Sequence, residues 1–146
     1  MRRTTIDKLD IRMVRERVGE YDAVIRSSTD VANVAKTLFA DCLQEEVWGF
    51  YLDVRGRLVC TRMIGRGTTQ ECPASPVDVF RPCLLTPAVS VILVHNHPSG
   101  ETTPSGTDKL LAMRMAESAR ILGLRLLDFV IVSTESAYSL RDAGQL

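Results

Sequence analysis

The stretch that decides the fold runs Val89-Ser90-Val91-Ile92-Leu93-Val94-His95-Asn96-His97 and continues through Pro98 to Asp108 as PSGETTPSGTD. Val89 to Val94 is apolar except for Ser90, the pattern of a central strand buried on both faces. Asn96 to Gly106 then reads as loop, punctuated by Pro98, Gly100, Pro104 and Gly106. A helix from Ser105 to Leu122 follows, with Leu111, Met115, Ala119 and Leu122 on one stripe and Gly123 as its stop. Beyond it, Leu124 to Ser133 predicts another strand and Ala137 to Leu140 a short last one.

Upstream, Val31, Val34, Ala35, Leu38, Phe39 and Cys42 recur at helical spacing, with Ser28, Thr29 or Asp30 available as N-cap. That helix is expected to end near Gln44 to Glu46. Val47 to Leu52 and Leu58 to Ile64 predict a hairpin turning at Arg55-Gly56, with Gly49 marking a bulge or a close backbone approach. Gly65 to Ser75 reads as loop. Ser75-Pro76 opens a helix that Pro82 is expected to kink or divide. Residues 1–27 read as an arm with a short helix between Asp10 and Arg17, and residues 28–146 as one domain. The fold class expected is a single α/β domain. In it a curved, mixed, largely antiparallel sheet lies between the Val31–Leu43 helix and the Ser105–Leu122 helix.

Composition narrows the function classes. The chain has 146 residues, 45% of them hydrophobic, enough for one domain with its own core. Basic and acidic residues balance at 18 each, so the whole carries no electrostatic footprint for nucleic acid or an acidic membrane. A local basic patch is still compatible with that balance, for example around Arg2, Arg3, Arg12, Arg15 and Arg17. Cys42, Cys60, Cys72 and Cys83 are spaced by eighteen, twelve and eleven residues, which matches no zinc or redox pattern and predicts reduced thiols in or near the core. No apolar leader follows Met1-Arg2-Arg3, and no run is long enough to span a bilayer, so the expected location is the cytoplasm. The sequence is silent on oligomeric state.

The chain's two histidines, His95 and His97, are one residue apart. If extended backbone persists through them, both side chains point to one face and reach one metal ion at roughly 2.0–2.1 Å. Asp108, eleven residues beyond His97, stands in the first turn of the long helix. Two histidines and a carboxylate leave a fourth tetrahedral position open, as a catalytic zinc site requires. Ser105 and Asp108 also read as a capping box, a role that metal binding nearby does not exclude.

His95-x-His97, seven residues, Ser105, two residues and Asp108 together resemble the JAMM motif of JAB/MPN+ metalloproteases. The surrounding VILVHNHPSGETTPSGTD, the upstream QEEVWGFYLD and the downstream GLRLLDFVIV are similar to the RadC-like branch, over roughly residues 28–142. Members of that branch commonly carry an N-terminal helix-hairpin-helix region, for which this length leaves no room.

The resemblance implies the JAB/MPN (cytidine-deaminase-like) architecture and Zn2+ on His95, His97 and Asp108. It also implies a catalytic glutamate, which counting back from Asp53 puts at Glu45, with Glu46 the rival one residue away. Ser105 would help to stabilise an oxyanion. The implied reaction is zinc-dependent hydrolysis of a peptide or isopeptide bond. Its implied partner is a ubiquitin-like or similarly tailed protein, with the Gly65–Ser75 loop as a groove wall. The competing expectation is an accessory binding module of a DNA-repair or mobile-element system with little protease activity. Intact Glu45 and Ser105 argue for the hydrolase.

Overall fold

The structure is a computed structural model that describes residues 24–67 and 74–146. The short helix expected between Asp10 and Arg17, the basic cluster, Cys72 and most of the Gly65–Ser75 loop lie outside the described residues. Five strands form one mixed sheet in the order β2-β1-β3-β4-β5. The strands are β1 (Glu46–Leu52), β2 (Leu58–Arg66), β3 (Ser90–Asn96), β4 (Arg125–Val132) and β5 (Ala137–Ser139). The helices are α1 (Ser28–Phe39), α2 (Pro76–Leu85) and α3 (Gly106–Ile121). β3 pairs antiparallel with β1 and parallel with β4, to which α3 connects it; the remaining pairs are antiparallel.

β3 is central, and all seven of its residues are buried, which the unbroken apolar run required. One face packs Val91, Leu93 and Ile131 against Val79 and Phe80 of α2 and Leu111 and Met115 of α3. The other packs Ile92, Val94, Phe50 and Val130 against Val31, Val34 and Ala35 of α1. Strand alternation therefore divides the domain into two apolar layers on either side of the sheet.

Several boundaries differ from the sequence expectation. α1 starts under a capping box in which Ser27 accepts from the Asp30 N–H, and it stops at Phe39 rather than near Gln44 to Glu46. The segment after it is drawn out to meet the sheet: the Glu45 carbonyl accepts from Gly67 N–H, and Leu43 projects into solvent. β2 runs on to Arg66 because it pairs with Glu46 across the hairpin. Val24 and Ile25, assigned above to the arm, pair with Arg57 and Gly56.

Pro82 does not divide α2, which is continuous through it. A proline there has no N–H for the Asp78 carbonyl. Arg62 of β2 donates its Nη1–H to that carbonyl at 2.7 Å instead, so the helix keeps its acceptor satisfied. Gly123 adopts φ 69° just past α3, the left-handed stop expected there.

Gly49 proves to be a close approach. A Cβ at this position would fall within the ring of Tyr51, whose hydroxyl donates to the Val79 carbonyl at 2.8 Å and so ties β1 to α2. Burial of that ring pushes the Tyr51 phenol well above its ordinary pKa. Cys83 is buried, and burial, with Cys60 close by, pushes its thiol up to about 11. At pH 8 only on the order of one Cys83 in a thousand is then thiolate.

Gly49→Ala is expected to lower stability by about 1–3 kcal/mol, as overpacking against a fixed ring does, read as a lower urea midpoint. Iodoacetamide at pH 8 is expected to leave Cys83 unmodified in the folded protein and to modify it in urea, read by peptide mass mapping.

Candidate metal centre

The centre forms where the carboxyl end of β3 meets the start of β1 and the amino end of α3. His95 is the penultimate residue of β3 and faces the α3 side with Leu93 and Val91. Extended pairing continues one residue further, since the His97 N–H donates to the Val132 carbonyl at 2.8 Å. The two rings stand edge to face with centroids 4.7 Å apart. Side-chain direction alternates along β1 as well. Glu45 at its threshold lies on the His95 side, and Glu46 is turned to the other.

The two glutamates consequently differ in chemistry. Glu46 is buried, and both its oxygens are engaged: Oε1 takes the Arg66 Nε–H and Nη2 at 2.9 Å each, and Oε2 takes the Trp48 Nε1–H at 2.8 Å. Glu45 instead puts Oε2 3.4 Å from His95 Nε2, with its side chain 30% exposed. Donor atoms of Glu45, His95 and His97 all lie within 4.8 Å of one another, close enough to share one ion.

The partners of the imidazoles fix which nitrogens carry lone pairs. His97 Nδ1 lies 2.6 Å from the Glu101 carbonyl, which only accepts, so Nδ1 carries the proton and Nε2 is the base. His95 Nδ1 lies 3.2 Å from Asp108 Oδ1, which again leaves Nε2 with the lone pair. His95 Nε2 is fully buried and has no hydrogen-bond partner. A buried polar atom left in that state costs about 1–3 kcal/mol, and a missing ion is one of the few things that explains it. A carboxylate behind a histidine is also the usual means of aiming a ligand ring. The donor set of imidazole nitrogens and carboxylates therefore fits zinc.

Asp108 is where α3 and the centre share atoms. Its N–H donates to Ser105 Oγ at 3.1 Å, and its Oδ2 accepts the Ser105 N–H at 2.8 Å, a complete capping box. The same Oδ2 is 3.9 Å from His97 Nε2, but with Oδ1 on His95 Nδ1 this carboxylate stands outside the group of converging donors, which is Glu45, His95 and His97. Burial alone would raise the Asp108 carboxyl. Its contact with His95 and the hydrogen bonds from Ser105 outweigh that and hold it well below the usual carboxylate range. His95 and Asp108 side chains are each 1% exposed whereas His97 is 13% exposed, so the open side lies toward His97 and Glu45. A cavity of about 230 Å3 lies on the other face of the sheet, between Ala35, Lys36 and Phe39 of α1, Asn96, and Val132 to Thr134 after β4; it reaches His97 but not Glu45, His95 or Asp108.

The sequence reading begins the loop at Asn96, whereas the structure makes Asn96 the last residue of β3. The structure places its amide, buried, against the backbone of Gln44 and Glu46. The available signal was a polar residue at the end of an otherwise apolar buried strand, which must find partners.

Residues 25–145 match the RadC-like JAB domain family. A UPF0758 protein of Geobacillus sp. is 35% identical over 126 residues, covering 86% of this chain and 55% of its own. One from Acaryochloris marina is 41% identical over 103 residues, covering 70% of this chain and 42% of its own. The chain spans about half the length of the curated relatives it matches.

Metal-free protein is expected to take up one zinc per chain and to melt at a higher temperature with zinc. Stabilisation should reach about 2.7 kcal/mol once zinc is a hundredfold above Kd. His95→Ala should abolish the shift in calorimetry; an undiminished shift would place the metal elsewhere.

Proposed function

This chain belongs to the RadC-like JAB domain family, and on that premise we propose that it is a zinc-dependent hydrolase of peptide or isopeptide bonds. The observation that carries the reading is the buried, unpartnered His95 Nε2, with His97 beside it and the Glu45 carboxylate 3.4 Å away. His95 Nε2 and His97 Nε2 would hold the ion with Glu45 beside them, and Asp108, which the motif makes the third ligand, would have to turn from His95 Nδ1 to reach it. Zinc supplies Lewis acidity there, making hydroxide available near neutral pH and polarising a substrate carbonyl.

The remaining steps belong to the chain's own groups. Glu45 is the most exposed carboxylate of the set and, among the described residues, no arginine holds it as Arg66 holds Glu46, so it is the group suited to accept a proton from water. The same carboxyl then delivers that proton to the departing amine. Ser105 Oγ already accepts the Asp108 N–H, and Thr107 Oγ1 at 2.8 Å is able to donate to it as well. The Ser105 O–H is then available to donate toward the oxyanion that forms on the attacked carbonyl.

The substrate we propose is the C-terminal tail of a ubiquitin-like or similarly tailed protein. Glu45 and His97 are the more exposed members of the set, and an extended tail of small residues would reach that side with no bulky side chain to place. Among the described residues no helix is long and apolar enough to cross a membrane.

The test is incubation of zinc-loaded protein with ubiquitin-like proteins extended at their C-termini. Cleavage is expected to stop on chelation and to resume when zinc is returned. Glu45→Gln should keep one zinc per chain and lose at least about 100-fold in turnover, the usual loss for a general base. Asp108→Asn should lose the zinc itself. A Glu45→Gln protein that cleaves as fast as the parent removes Glu45 from the mechanism.

A further inference from the structure

We infer that Asn96 is a positioning residue that holds Glu45 in line with the metal-binding histidines, acting through the backbone on either side of that glutamate. The inference rests on the hydrolase reading for its kinetic consequence, although its geometric basis does not. Asn96 lies between His95 and His97, yet alternation turns its side chain to the opposite face of the sheet. There its Oδ1 accepts the Glu46 N–H at 2.6 Å, and its Nδ2–H donates to the Gln44 carbonyl at 2.9 Å. One amide thus grips the residue before Glu45 and the residue after it.

The remaining freedom of the segment is removed from its other edge. The Glu45 carbonyl accepts the Gly67 N–H at 2.7 Å, and Arg66 holds Glu46. Without Asn96, the Gln44 carbonyl and Glu46 N–H lose these partners at a point where the ladder has just begun. Residues 40–45 carry no helix or strand, and among the described residues the backbone of 44–45 is held besides only by the Cys42 Sγ–H on the Gln44 carbonyl at 3.1 Å and by Gly67. Because Asn96 shares a peptide with each histidine, any movement of the histidine pair moves the clamp with it. The Glu45 carboxylate and His95 Nε2 are therefore kept at their separation by a short covalent and hydrogen-bonded circuit through Asn96.

The circuit ties Glu45 to His95 and leaves His97 and Asp108 outside it, so removing the Asn96 amide should spare metal binding by the histidines and misplace Glu45. Asn96→Ala is expected to retain one zinc per chain by elemental analysis. Turnover should fall roughly 10–100-fold with KM little changed, the usual range for loss of an orienting partner. Asn96→Ser, which keeps one hydroxyl to donate or accept, should fall between the alanine variant and the parent. In a Glu45→Gln background, Asn96→Ala should cause no further loss, because the group it positions is already gone.

A crystal structure of zinc-loaded Asn96→Ala gives a readout independent of catalysis. It should show both histidines in place and the Glu45 carboxylate displaced from its 3.4 Å approach to His95 Nε2. If the parent cleaves no tailed substrate, the hydrolase reading fails, and this displacement still decides the positioning role. The inference is overturned if Glu45 stays in place in that structure. It is equally overturned if Asn96→Ala strips the metal, or if it costs as much turnover with Gln at position 45 as with Glu.

Discussion

β3 is buried along its whole length, yet it ends in polar residues whose hydrogen-bonding groups must be accounted for inside the protein. The centre depends on how that demand is met. His95 is carried into the layer beneath α3, and Asn96 into the layer beneath α1. Each has to find partners where water does not reach. His95 spends Nδ1 on Asp108 and keeps Nε2 unpaired, while Asn96 satisfies its amide on the chain leading into β1. The sheet therefore separates two tasks by parity alone. Donor atoms collect on one face, and the amide that fixes the approach of Glu45 sits on the other.

The amino end of α3 completes the arrangement with atoms that the helix already requires. A helix start exposes unpaired N–H groups and a partial positive charge, both of which favour a carboxylate. Asp108 answers that requirement through Ser105 and turns its Oδ1 to His95. Cap and centre are thus one structure, so a substitution at Asp108 acts on α3 and on the histidine together. The capping and catalytic readings of Ser105 and Asp108 in the sequence do not compete, because the capping bonds themselves bring Asp108 against His95.

Much of this was legible in the sequence because it follows from local periodicity. The apolar run before His95, the stripe on α3 and its serine cap each depend on neighbours a few residues away. What was not legible depends on contacts across the chain. The end of α1 is set by Gly67 and Asn96 drawing out the segment before β1, and no pattern in residues 40–46 announces them. Pro82 sits within a continuous helix because Arg62, twenty residues earlier, supplies the hydrogen bond that the proline removes. Glu45 and Glu46 are identical in type and adjacent. Only the pairing of β1 with β3 decides which one faces the histidines, and Arg66 and Trp48 occupy the other.

The matched segments cover only 42% to 55% of these relatives' own lengths, but the groups assigned to chemistry fall within residues 25–145, the segment that matches the family. That distribution separates what this domain holds by itself from what a longer chain adds. The donor set is closed at His95 and Asp108 and more open at His97 and Glu45. The cavity between α1 and the segment after β4 lies on the other face of the sheet with Asn96, and of the donor residues only His97 lines it. Sequence change along α1 and residues 133–134 can therefore reshape that cavity while leaving the donor atoms where β3 and α3 put them.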